Sequence, residues 1–406
     1  MLERKNSNLI LLNFFISILL FYFLLNSNIL HKYFVGGSLY IFGDYKAALN
    51  MVVCSQENQS LSCPEFAYGK ILTFLPYSDD LKFTYDVLIP YLLILIFVFF
   101  ITYSFEFKRK INIIIFYLSL FNPSTLLLIE RLNLDILIFI SIFIFALNKI
   151  FLINWIILIN LVLLKIYPII LTLIIFYENQ KRNIYNSLII FSIIFVIIIF
   201  LILKFNLLET LNAYGTESKA GYFYLFSFNH LPKFLKYSFG LNYIVSLTLL
   251  GLIFIYSVFR LCRLNNIEFL NFNNNYRELI LFNLGASILI LSYLIYSNYY
   301  YREIFLICTF PLLLKEEVFK FKYIKYFLYF SISRYSFEYI YSFVSLSDFI
   351  YYVNGMRYFK GSYLLVSYIK SFFDLVLIVW LSSLVFIVNR KIVIEKLFPF
   401  NKLLRN

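Results

Sequence analysis

A chain of 406 residues that is 62% hydrophobic and only 14% charged, with a mean hydropathy of +0.82, has lipid as its main solvent, which excludes the soluble globular classes. Its 50 Phe and 36 Tyr accompany abundant Ile, Asn and Lys, a bias of the kind an AT-rich genome imposes more than a sign of interfacial belts. The formal net charge of +13 does not point to nucleic acid, because the basic residues stand in short runs between apolar segments, where they set membrane orientation.

The first apolar run, 9–25, follows Arg4 and Lys5 and ends in Asn26-Ser27-Asn28-Ile29. That end lacks a small-x-small cleavage site, so a retained helix is expected and not a cleaved signal peptide. Further apolar runs lie at 85–104, 111–129, 134–147, 150–164, 167–177, 188–203, 241–259, 279–297, 304–314, 323–344 and 372–388. They predict an all-α polytopic membrane protein of about 12 transmembrane segments (10 to 13). Several fall short of the roughly 20 residues a perpendicular span needs, so broken or re-entrant helices are expected, above all around Lys165-Ile166-Tyr167-Pro168.

With the amino terminus inside, Lys108-Arg109-Lys110, Lys181-Arg182, the 260–277 loop, the 315–325 stretch and the basic carboxy-terminal tail all face the cytoplasm, as the positive-inside rule asks. The reading is one transmembrane domain, 1–406, with extracytoplasmic loops at 26–84, 204–240 and 345–371. No internal repeat argues for an inverted-repeat transporter. Cys54 and Cys63 share the first outer loop, on the oxidising side, where a disulfide between them closes a small loop; two unpaired thiols are the alternative. Two cysteines are too few ligands for a structural zinc.

Several familiar chemistries are missing. Gly69-Lys70 lacks the upstream glycines of a phosphate-binding loop, and no Gly-x-Gly-x-x-Gly occurs. There is no Asp-x-Asp pair, and His31 and His230 are far apart, so neither a metal site nor a cofactor is indicated.

The polar residues of interest gather at the outer ends of the segments. Phe42-Gly43-Asp44-Tyr45 sets a carboxylate at the lipid boundary, suited to a general base; an ordinary solvated loop aspartate is the alternative. Asn122-Pro123-Ser124 leads to Glu130-Arg131-Leu132-Asn133-Leu134-Asp135, where Glu130 and Arg131 either shape a polar cleft or ion-pair at a helix end. Lys165 is an intramembrane cation beside Tyr167 and Pro168, or a lysine snorkelling to the interface. Asn298-Tyr299-Tyr300-Tyr301-Arg302-Glu303 offers an arginine fork at a helix start, suited to phosphate, or an interfacial belt. Arg334 and Glu338, four residues apart, read as a self-neutralising structural pair.

In its Gly43-Asp44-Tyr45, Asn122-Pro123-Ser124 through Asp135, Lys165-Ile166-Tyr167-Pro168, and Tyr300-Tyr301-Arg302-Glu303 with Pro311, the chain resembles the GT-C superfamily, nearest glycosyltransferase family 87 and related mannosyltransferase-like proteins. The resemblance runs from Gly43 to Pro311 and departs from the commoner Gly-Gln-Asn type of turn after the third helix. It implies a GT-C-type fold in the bacterial cytoplasmic membrane, with the active site facing the periplasm or exterior. It also implies a polyprenyl phosphate sugar donor, a glycan or glycolipid acceptor, inversion at the anomeric carbon, and Asp44 as the base.

On that scheme Arg302, Lys165 and Arg131 bind the donor phosphate, and Tyr45, Glu130, Asn133, Tyr167, Tyr301 and Glu303 line the substrate cleft. The competing readings are a lipid or solute transporter, which would carry ionisable groups near the bilayer midplane, and a polysaccharide polymerase, marked by a large outer loop between late helices.

Overall fold

The computed structural model describes residues 7–26, 42–56, 79–148, 151–165, 167–171, 196–200, 225–228, 230–264, 276–295, 298–346, 350–353, 356–359 and 361–397. Among these the chain is helical apart from two short antiparallel ladders. Among the described residues five helices are long and apolar enough to cross a membrane, and six if one bent pair counts as a single span.

The first is α1 (Ser7–Asn26); its polar Asn13 and Ser17 are buried but bonded back to Leu9 and Asn13 carbonyls, and Asn13 also accepts from Tyr117. The short α2 (Gly43–Gln56) follows, and then α3 (Ile89–Ser104), entered through a π-turn at Thr84–Leu88. The bent pair is α4 (Lys110–Phe121) and α5 (Pro123–Arg131), set at 44°. The break is local chemistry: Asn122 is extended and accepts the Thr125 N–H, while Pro123 opens α5 where its missing N–H costs nothing.

The run 134–164 gives two short helices, α6 (Asp135–Leu147) and α7 (Phe151–Leu164), of 13 and 14 residues. A 3-10 helix, Tyr167–Leu171, follows. Next come β1 (Leu225–Phe226), α8 (His230–Phe239), α9 (Tyr243–Leu264), α10 (Tyr276–Ile295) and β2 (Asn298–Tyr299). Only 6% of the apolar window of α9 is buried, so lipid is its natural neighbour.

The expected crossing at 304–314 is instead a ten-residue 3-10 helix, Tyr300–Thr309, continued by α11 (Phe310–Leu313). Its residues Ile304 to Cys308 are wholly buried, so hydrophobicity there reports protein packing and not lipid exposure. The β1–β2 ladder pairs Leu225 with Tyr299 and pins the start of this helix. Against α10 the approach is close: a Cβ on Gly285 would lie 2.5 Å from Cys308 Cβ and 2.6 Å from the Phe305 carbonyl oxygen.

After the one-turn α12 (Glu316–Phe319) runs α13 (Lys322–Leu346), whose interior charges keep it out of the apolar class despite 25 residues. The expected outer loop 345–371 contains the hairpin β3 (Ile350–Val353) and β4 (Met356–Phe359) and the first turns of α14 (Gly361–Leu397).

Two polar regions bracket α3. Near its first turn the Phe42 ring meets the Tyr91 ring at 5.8 Å. Just past its last turn Glu106 pairs with Lys315 at 2.6 Å, and Lys315 also reaches Glu278 at 3.1 Å. Burial pushes the Lys315 ammonium down, but Glu106 and Glu278 outweigh it and hold it above the usual lysine range. At about 1.5 Å per residue, the 16 residues of α3 separate these regions by about 24 Å.

Candidate active site

The site forms where the start of α2, the α5–α6 turn, the end of α7 and the 3-10 helix Tyr300–Thr309 meet. α5 ends at Leu132, which takes a left-handed conformation (φ 46°) and returns its N–H to Ile129. α2 begins after Phe42, at φ 63°, whose N–H donates to the Glu130 carbonyl at 2.6 Å. Among the described residues these are the two non-glycine positions with positive φ. For a bulky residue such a conformation is costly and persists only where its surroundings enforce it. Both flank the same polar cluster.

Asn133, directly after the left-handed Leu132, is the centre of that cluster. Its amide nitrogen donates to Asp44 Oδ2 at 2.7 Å, and its amide oxygen accepts from Lys165 Nζ at 2.8 Å and from the Asp135 N–H at 3.1 Å. A carboxylate can only accept and an ammonium only donate, so the orientation of the amide is fixed by its neighbours. Asp135, wholly buried in the first turn of α6, pairs with Lys165 and with Arg302 Nε, the latter at 3.4 Å. A carboxylate at a helix start and a lysine at a helix end both suit the helix dipoles. Arg131 reaches Asp44 Oδ1 at 3.5 Å.

Asp44 and Arg131 are each 24% exposed at the side chain, while Lys165, Asp135 and Arg302 are buried. The network therefore runs from a partly exposed carboxylate inward to two buried cations. Burial pushes the Lys165 ammonium below the usual lysine range; Asp135 opposes that shift and Arg302 adds to it.

No family model, characterised protein or solved structure matches this chain.

Of the residues singled out from the sequence, Asp44, Arg131, Asn133, Lys165 and Arg302 are joined in this one network. Tyr45 packs into the hydrophobic core, and Glu130 is buried with its carbonyl tied to Phe42. Tyr167 and Tyr301 sit on the two 3-10 helices, and their side chains lie outside the described part. Cys54 is disulfide-bonded on α2, and Cys63 lies outside the described residues.

Glu303 does not join the cleft. A 3-10 helix turns about 120° per residue, so Glu303 points away from Arg302 into a second, buried network. There Arg334 pairs with Glu303 (2.5 Å), Glu338 (2.6 Å) and Asp374 (2.6 Å), and Lys370 pairs with Glu303 (3.1 Å) and Asp374 (2.8 Å). Arg334 and Glu338 are thus members of a five-residue network and not an isolated pair. Among the described residues no group of three or more His, Cys, Asp or Glu side chains is arranged to hold a metal ion.

The residue that sequence reasoning passed over is Asp135, which joins Lys165 to Arg302. Its signal was present in Asn133-Leu134-Asp135: an amide two residues before an acidic first helical turn.

Proposed function

We propose that this protein is a membrane glycosyltransferase of GT-C type, with about 12 segments in a bacterial cytoplasmic membrane. It moves a hexose, such as mannose, from a polyprenyl phosphate donor to a glycan or lipid-linked acceptor at the extracytoplasmic face. The observation that carries this reading is the hydrogen-bonded path Asp44–Asn133–Lys165–Asp135–Arg302, which gathers a partly exposed carboxylate and two cations in one network.

In the reaction the acceptor hydroxyl attacks the anomeric carbon while Asp44 takes its proton. The bond to the phosphate oxygen breaks, its electrons leave with the polyprenyl phosphate, and the configuration inverts. Negative charge grows on the departing phosphate, so Arg302, Lys165 and Arg131 stabilise the transition state more than the ground state. Asn133 keeps the Asp44 carboxylate aimed outward by occupying one lone pair of Oδ2.

Asp44→Asn removes the base with little change of shape. Transfer by the purified variant in nanodiscs should fall by about a hundredfold or more, with unchanged thermal unfolding. Wild-type turnover in that variant would remove Asp44 from the mechanism.

A second reading, a lipid or solute transporter, is favoured by one observation: Lys370 and Asp374 lie inside the apolar span Leu365–Asn389 and pair with Arg334 and Glu303. Vesicle-entrapped substrate moving without any covalent product would favour it over transfer.

A further inference from the structure

The second network carries unbalanced charge. Glu303, Glu338 and Asp374 supply three carboxyl groups against the two cations Arg334 and Lys370. All five are buried: Glu303 is wholly inaccessible and Lys370, the most exposed, is 4%. A net negative charge in an apolar interior is costly, and a cluster so placed is expected to neutralise itself.

The geometry shows where. Glu303 sits between Arg334 and Lys370, and Asp374 receives both Nε and a terminal nitrogen of Arg334 as well as Lys370 Nζ. Glu338 touches a single cation, Arg334 NH1, through Oε1, and no donor among the described residues reaches its Oε2. Glu303 and Glu338 hold the two terminal nitrogens of the same guanidinium, Glu303 at NH2 and Glu338 at NH1, so their carboxyl groups are gathered at one cation. Two ionised carboxylates repel one another and have only acceptors to offer, so two such groups buried on one guanidinium favour a proton on one of them.

We propose that Glu303 and Glu338 bind one proton between them, carried by Glu338 and donated in a hydrogen bond to the ionised Glu303. The proton comes from water, and no other bond changes. The groups facing Glu338 agree with this assignment. From the 3-10 helix comes Glu303; from its own helix come Arg334, Tyr335 and Tyr339; and from α14 come Lys370 and Asp374. Tyr293 of α10 faces Arg334 and Asp374 on the far side. The three tyrosines are neutral, so among the described residues two cations, Arg334 and Lys370, oppose three carboxyl groups. The site lies one residue from Arg302 along the 3-10 helix, yet it is separate from the Asp44 network and does not depend on the glycosyltransferase reading.

Infrared difference spectroscopy of the full chain in nanodiscs tests the proposal by recording the carbonyl band of protonated carboxylic acids, which shifts in D2O. At neutral pH the wild-type protein should show such a band, and Glu338→Gln should lose it while unfolding at nearly the wild-type temperature, since an amide mimics the neutral acid. Glu303→Gln should lose it too, because the two remaining carboxylates, Glu338 and Asp374, are balanced by the two cations; it gives the same reading should the first variant not fold. A wild-type protein without the band at neutral pH, or one whose band survives in both variants, would overturn the shared proton.

Discussion

Asn133 links a carboxylate to an ammonium through one amide, and on the proposed mechanism that double role makes it the most sensitive residue of the site after Asp44. Asn133→Asp places a second carboxylate against Asp44, replacing a 2.7 Å hydrogen bond by like-charge repulsion. Transfer should fall at least about tenfold, the equivalent of about 1.4 kcal/mol, with recovery at acid pH where one carboxyl group is protonated. A pH–rate profile of the purified variant checks this; a profile superimposable on that of the wild type would show that the amide is not needed. Asp135→Asn leaves Lys165 and Arg302 as neighbouring buried cations without their common anion. Removing one partner of a buried ion pair costs about 3–5 kcal/mol, so this variant should unfold at a clearly lower temperature. Asp44, Asn133, Lys165 and Arg302 were legible in the sequence because each is a polar residue at the edge of an apolar run. The function of Asp135 was not legible, since a first-turn aspartate looks the same whether it caps a helix or holds two distant cations. The positive φ at Phe42 was equally hidden, because no glycine or asparagine stands there to announce it.

The element that joins the two polar networks is the 3-10 helix Tyr300–Thr309. Ten residues is long for such a helix, whose runs seldom exceed a few residues, and tertiary packing holds it. The bare Gly285 lets α10 come close to Phe305 and Cys308, while the adjacent Arg302 and Glu303 anchor to Asp135 and to Arg334 on different sides. Gly285→Ala should therefore displace the helix and destabilise the protein by about 1–3 kcal/mol through overpacking, measured as loss of thermal stability. The same variant should weaken donor binding, because Arg302 moves with the helix; unaltered stability would mean that the two elements part without cost. From sequence, the stretch 304–314 resembled a short crossing. Hydropathy cannot separate a segment buried in protein from one buried in lipid, and this element is the clearest instance. The first apolar helix was readable, because run length is a local property, whereas the single run expected at 111–129 is broken at Asn122-Pro123 by a local capping motif.

At the scale of the molecule, α3 separates a network holding the candidate base from one holding Lys315, Glu106 and Glu278 by about 24 Å. That distance approaches the hydrocarbon thickness of a bilayer, about 30 Å, so the proposed topology sets the two networks at opposite faces. Ala47→Cys, exposed on α2, should react with a membrane-impermeant thiol reagent added to intact cells, and Glu317→Cys, exposed on α12, only after lysis; the reverse pattern would invert the topology. Cys54 is disulfide-bonded, as an oxidising compartment on the α2 side would allow, whereas Cys262 and Cys308 are buried thiols. The central claim is that Arg302 and its neighbours receive a polyprenyl phosphate, the group common to every donor of this class whatever its sugar. The most direct measurement is binding of polyprenyl phosphate to the protein in nanodiscs, for wild type, Arg302→Ala and Arg302→Lys. A hydrogen-bonded charge is worth about 1.5–3 kcal/mol, so Arg302→Ala should bind about tenfold to a hundredfold more weakly. Arg302→Lys should recover only part of the loss, because it restores the charge without the fork. Equal affinity in all three proteins would contradict the account.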